Sequence, residues 1–182
     1  MRHQRFLISC LGALVLVTTA PTVANAASAV VTGTVSGTTL SLATSAVPSF
    51  SANLDNGDST PTYTAALAVQ DTRGTGVGWN ATITSTQFTT GTQTLAANAS
   101  SLTGVTSACT SGTCTNPTNS VAYPVAVPAA ATPPTAVKFF NAAANTGMGK
   151  FTDTPTIGVF VPQSGFAGTY TSTLTLAIVT GP

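Results

Sequence analysis

Beyond residue 26, no stretch of this chain repeats apolar residues at helical spacing for more than about one turn, whereas strict alternation of apolar and polar residues returns repeatedly. Ala65, Leu67 and Val69 alternate with Ala66, Ala68 and Gln70. Trp79, Ala81 and Ile83 alternate with Asn80, Thr82 and Thr84. In the closing run Tyr170, Leu174, Leu176 and Ile178 line one face, and the other face is mostly threonine. Side chains that point to opposite faces in turn bury one face only as part of a sheet. Clusters of Gly, Pro, Asn and Ser separate the runs and place strands at 30–35, 39–42, 62–70, 79–84, 121–127, 136–140, 156–161 and 169–179. So many short strands in one chain predict an all-β fold, a single antiparallel β-sandwich of Greek-key or immunoglobulin-like style. The closing run is the best strand and is expected to pair centrally, with a neighbour on each side.

Residues 1–26 stand apart from this pattern. Arg2 and Arg5 form a positive start, residues 6–17 an apolar run, and Ala24-Asn25-Ala26 a small-x-small cleavage site, which together make a secretory signal peptide. The apolar run is shorter than the roughly 20 residues a spanning helix needs. The expected organisation is a cleaved signal peptide over 1–26 and one exported domain over 27–182, without a membrane span in the mature chain.

Removal of that segment takes Arg2, His3 and Arg5 with it. The remaining cations are Arg73, Lys138 and Lys150, set against Asp55, Asp58, Asp71 and Asp153, and neither His nor Glu is left. Three scattered cations cannot form the basic face that phosphate neutralisation requires, so nucleic acid is excluded as a partner. Ser-His-Asp chemistry lacks its imidazole base, and a zinc site lacks histidine. Asp55 and Asp58 flank Asn56-Gly57, which is turn chemistry, and the alternating oxygen ligands of a calcium loop are missing. Gly147-x-Gly149-Lys150 lacks the first glycine and the following hydroxyl of a phosphate loop and reads as a hairpin connection. The expectation is a protein with no catalytic residues, no metal and no cofactor. Charged residues make up 5% of the chain, against about a quarter in ordinary soluble proteins. Thr, Ser and Asn must therefore carry its solubility.

With Cys10 in the signal peptide, Cys109 and Cys114 are left in an oxidising setting and are expected to form a disulfide. They lie in a region around 87–120 whose polar turn clusters read as long loops. Val121, Tyr123, Val125 and Val127 share a face, and Pro124 and Pro128 mark that run as an edge strand.

The densest concentration of unusual residues is Asp71-Thr72-Arg73-Gly74-Thr75-Gly76-Val77-Gly78-Trp79, which holds the only tryptophan. Its three glycines permit a turn with positive φ between two strands. Arg73 can brace Asp71 or grip a ligand carboxylate with both arms of its guanidinium. Trp79 can be a buried anchor or a ligand contact.

This segment and the closing Tyr170-Thr171-Ser172-Thr173-Leu174-Thr175-Leu176-Ala177-Ile178 together resemble the WxL-domain family of bacterial cell-surface proteins. The resemblance extends to residues 37–42 and to Phe160-Val161-Pro162. It implies a β-sandwich, secretion in Gram-positive bacteria and non-covalent attachment to peptidoglycan or another envelope glycan, often beside other surface proteins. The motif residues it singles out are Asp71, Arg73, Gly74, Trp79, Tyr170, Leu174 and Leu176. The first Trp-x-Leu motif stands here as Trp79-Asn80-Ala81. The second is replaced in the closing strand, where Leu174-Thr175-Leu176 takes its place, or where Leu176 and Ile178 hold the Trp and Leu positions. An exposed indole in the second motif is therefore unavailable for stacking on sugar. A different reading is a structural subunit of a surface fibre or layer, joined to copies of itself through strand edges.

Overall fold

The computed structural model describes residues 30–44 and 46–182, so the signal-peptide reading of residues 1–26 lies outside the described residues. Contacts separate a segment ending at Thr34 from a compact unit over Val35–Pro182. Of the first segment, Val30 and Val31 are almost fully exposed and belong to no strand, as is Val35 at the start of the second unit. The strand expected at 30–35 is thus absent, because alternation alone supplies no ladder partner.

The alternating runs of the compact unit form strands where a partner exists. In chain order these are β1 (Leu40–Ala43), β2 (Thr62–Thr64), β3 (Leu67–Asp71), β4 (Trp79–Thr86), β5 (Thr89–Thr90), β6 (Gln93–Thr94), β7 (Ser100–Thr115), β8 (Val125–Ala126), β9 (Ala129–Ala130), β10 (Val137–Ala142), β11 (Met148–Val159) and β12 (Leu174–Thr180). One sheet has the order β1-β3-β11-β7-β8, with β2 also on β11; the other has the order β10-β4-β12, with β9 also on β4. Apart from β9 on β4, every pairing is antiparallel. The expected all-β sandwich of antiparallel sheets is what the chain forms.

Leu67, Val69, Leu102, Phe151 and Ile157 of the first sheet meet Trp79, Ala81, Ile83, Phe139 and Ala142 of the second in one buried cluster. The β4–β10 register shifts between Lys138 and Phe140, and Phe139 and Phe140 are both buried at that bulge. A second cluster gathers Leu95, Ala99, Val159 and Val161, with Phe50, Phe88 and Tyr170 packed on it.

Three expectations need correction. Residues 100–115 are a strand, the longest among the described residues, and not a loop. Its outer half is exposed on both faces, so no apolar alternation marks it in the sequence. Its backbone pairing with β11 over Ser100 to Thr115 holds it extended. The closing strand β12 is an edge: among the described residues it pairs with β4 alone, in unbroken register from Leu174↔Ser85 to Thr180↔Trp79. Finally, the connection read as a hairpin at Gly147–Lys150 belongs to a corner that carries the chain from β10 in one sheet to β11 in the other; the 71–79 turn is likewise a corner, from β3 to β4.

Candidate functional site

The corner between β3 and β4 is built by its glycines. Gly74, Gly76 and Gly78 all have positive φ, at 70°, 65° and 75°, a region that costs L side chains strain. A Cβ on Gly76 would lie 2.6 Å from Asn145 Oδ1, and one on Gly78 would strike the Ala142 carbonyl. The backbone therefore turns and lies close to the 143–147 corner at the same time. Asn145 N donates to Gly76 O at 2.7 Å and locks the two corners together.

Arg73 braces this arrangement. Its Nε donates to Asp71 Oδ1 at 2.9 Å and its Nη2 to Asp71 Oδ2 at 2.8 Å, a two-armed pair. Nη2 also donates to Gly78 O at 2.9 Å, and Nη1 to Thr180 Oγ1 at 2.7 Å. One side chain thus ties the end of β3, the start of β4 and the end of β12. Asp71 is buried; burial would raise its pKa, but the Arg73 hydrogen bonds and charge prevail and hold the carboxyl below its ordinary value. The same pair raises the Arg73 pKa, the hydrogen bond to Asp71 being the main cause.

Trp79 is fully buried. Its Nε1–H donates to Gly147 O at 3.0 Å, and its ring packs tilted on Phe140 with centroids 5.7 Å apart. Asn80 Nδ2 donates to Gly181 O at 2.9 Å and Gly181 N to Gly78 O at 3.1 Å, so the C-terminal residues close over the same end of the sandwich. What this end offers solvent is the tip of the corner: Gly74, Thr75 and Val77 are exposed.

Tyr170, Leu174 and Leu176 lie elsewhere. Tyr170 is half buried, and its hydroxyl donates to Phe166 O at 3.1 Å. Leu174 and Leu176 are half buried on the core face of β12. All three line a cleft of about 1040 Å³ beside that strand. The structure therefore brings Asp71, Arg73, Gly74 and Trp79 together at the corner and places Tyr170, Leu174 and Leu176 along the cleft.

The cleft was not legible in the sequence. Phe50, Tyr63 and Phe88 meet in it from three separate parts of the chain, with Phe50 and Tyr63 stacked at 6.1 Å and Phe50 and Phe88 edge-on at 5.4 Å. Burial pushes the Tyr63 hydroxyl up to about 12, which keeps it neutral. No local spacing links these rings.

The remaining polar groups are structural in placement. Asp58 Oδ1 accepts from Gln163 N at 2.8 Å. Cys109 and Cys114 are joined as a disulfide near the tip of β7. Asp153 on β11 is buried, and neither carboxyl oxygen has a hydrogen-bond partner among the described residues. Burial pushes its pKa up to about 6.

Two sheets, a braced corner and an edge strand define an all-β sandwich domain. The family described as "WxL domain surface cell wall-binding" matches residues 18–182, and the chain belongs to it. No curated protein and no solved structure matches the chain. Among the described residues, no helix is long and apolar enough to cross a membrane.

Proposed function

We propose that this is a secreted, non-catalytic domain that attaches without a covalent bond to the peptidoglycan of a Gram-positive bacterium. Membership of a surface cell wall-binding family over residues 18–182 carries the reading. The exported form would begin at Ala27, after cleavage of the signal peptide, and lacks both His and Glu, which supports binding rather than acid–base catalysis.

Within this reading, the motif residues divide their work. Asp71, Arg73 and Trp79 are positioning residues that hold the corner rigid, and exposed Gly74, Thr75 and Val77 make the contact with the wall. A rigid, uncharged corner loses little entropy on docking against a flexible glycan. Tyr170, Leu174 and Leu176 contribute through the cleft and the packing of β12. The test is capture of the chain on protein-free Gram-positive sacculi before and after muramidase digestion. Capture that disappears as the glycan is cut supports the proposal; capture that survives complete digestion contradicts it.

A second reading, a subunit of a surface fibre joined through strand edges, is favoured by one observation: among the described residues β12 pairs on one side only.

A further inference from the structure

At one end of β12 Thr180 pairs with Trp79, beside the braced corner; at the other Leu174 pairs with Ser85. At about 3.4 Å per residue the two ends are about 20 Å apart. The apolar cleft opens at the Leu174 end. Residues 46–55, which follow β1, and residues 166–174, which lead into β12, line it, all within the compact unit over Val35–Pro182.

Its rings differ from those of the core. Trp79, Phe139, Phe140 and Phe151 are buried, whereas Phe50, Tyr63, Phe88 and Tyr170 are half buried and Phe166 is 62% exposed. Phe166 and Tyr170 also line a smaller hollow of about 200 Å³, together with exposed Phe160. The two hollows share this wall, so the aromatic surface continues from Phe50 to Phe160. Rings gathered in one place and left facing water mark a binding surface.

The rim determines which ligand fits. Ser49, Ser51, Asn53, Thr169, Thr171 and Thr173 are exposed along it and carry hydroxyl or amide groups. Among the described lining residues the sole charged side chain is Asp55, and neither Lys nor Arg is present. A ligand bearing phosphate or carboxylate would meet one like charge and no counter-charge. A hydrocarbon chain would cover the rings and leave the rim groups without partners. A pyranose satisfies both surfaces: its C–H groups suit the negative face of a ring, and its hydroxyls suit the rim. The Tyr63 hydroxyl, kept neutral by burial, adds a donor inside the cleft.

The cleft is also large and set in advance. Its volume of about 1040 Å³ stands at the upper end of the roughly 300–1,000 Å³ of small-ligand sites, which suits several linked sugars. Phe50 meets Tyr63 and Phe88 at centroid distances of 6.1 and 5.4 Å, and the Tyr170 hydroxyl donates to Phe166 O. Rings already held by one another lose little freedom when a ligand docks.

We infer that this cleft is a second glycan site, apart from the corner, which takes an uncharged stretch of saccharide chain against its aromatic rings. The inference rests on the wall attachment proposed above and gives it a second contact, so that one domain holds glycan at both ends of β12.

Amide NMR of the chain from Ala27 onward, titrated with a tetrasaccharide of N-acetylglucosamine, tests this. The probe is an uncharged sugar backbone without stem peptides. Amides of residues 49–53 and 169–173 should shift saturably. Phe166→Ala, at an exposed ring whose backbone carbonyl stays to hold Tyr170, should weaken binding on the order of fivefold. Tyr63→Phe, which keeps the ring and deletes the hydroxyl, should weaken it roughly threefold. Shifts confined to the corner, or cleft binding that ignores both substitutions, would overturn the inference. So would cleft shifts produced by octanol and not by the tetrasaccharide, which mark a hydrocarbon site, or shifts that follow protein concentration alone, which mark a second copy. Capture on sacculi, measured in parallel, separates the two claims. Capture without a saturable cleft shift overturns the cleft site and leaves wall attachment at the corner; neither capture nor shift overturns both.

Discussion

Arg73 Nη2 lies 2.8 Å from Asp71 Oδ2, and the same guanidinium reaches Thr180 at the far end of the chain. Asp71 is buried and depends on this partner for its charge. Arg73→Ala should therefore destabilise by about 3–5 kcal/mol, the range for leaving a buried charge unpaired. Arg73→Lys should recover only part of this, because an ammonium cannot bond both carboxylate oxygens and the Gly78 carbonyl in one plane. Urea unfolding at pH 7 measures both.

Trp79 is positioned by the glycine at 147, and each should be sensitive to the other. Trp79→Ala should cost about 3–5 kcal/mol through the cavity it leaves. Trp79→Phe should cost less, from a smaller cavity and an unpaired Gly147 carbonyl. Gly147→Ala should also destabilise, since φ there is 68° and a Cβ would lie 2.7 Å from Trp79 Nε1. A thermal melt of each variant tests the relationship; a Gly147→Ala melt equal to wild type would contradict it.

Asp153 makes stability depend on pH in the opposite sense from Asp71. Its folded pKa is pushed up to about 6, above the roughly 3.9 of an unfolded aspartate. Below pH ~4 the group is neutral in both states, and stability is full. As pH rises through 6, the folded chain must carry the buried charge, and on the order of 3 kcal/mol is lost. Asp71, whose pKa is lowered, contributes above the unfolded value and loses that contribution as pH falls through its folded value. Asp153→Asn should raise the urea midpoint at pH 7.5 and leave it nearly unchanged at pH 4. A midpoint that moves equally at both would count against a buried, unpartnered carboxylate.

The disulfide closes a small loop on the exposed part of β7. Cys109→Ser with Cys114→Ser should cost about 2 kcal/mol by loop entropy and leave the β7–β11 pairing intact. Amide exchange of Thr152 and Thr154 reports on that pairing.

How much of this could be read from the residues depended on whether burial left a trace in them. β3 and the first half of β4 bury every second side chain, and the alternation Leu67, Val69 and Trp79, Ala81, Ile83 shows it directly. The outer half of β7 buries almost nothing, so Thr110-Ser111-Gly112-Thr113 looks like loop while pairing with β11 makes it strand. The edge position of β12 was hidden for a related reason: a strand with one neighbour and a strand with two can carry the same Leu-Thr-Leu alternation. At the corner, Asp71, Arg73 and Trp79 were visible as a cluster because they are close in sequence. Their burial was not, because Gly147 and Thr180, which satisfy the indole and the guanidinium, stand far along the chain. The cleft rings of Phe50, Tyr63 and Phe88 belong to the same class of long-range meeting.

The central claim, wall attachment through an exposed corner held by a buried Trp79, is tested most directly by co-sedimentation of residues 27–182 with purified Gram-positive peptidoglycan, beside a control without wall. Wild type and folded Trp79→Phe should bind saturably with equal capacity, and Val77→Asp, at a site 43% exposed, should bind at least tenfold more weakly. Wild-type pelleting no greater with wall than without it would contradict the account.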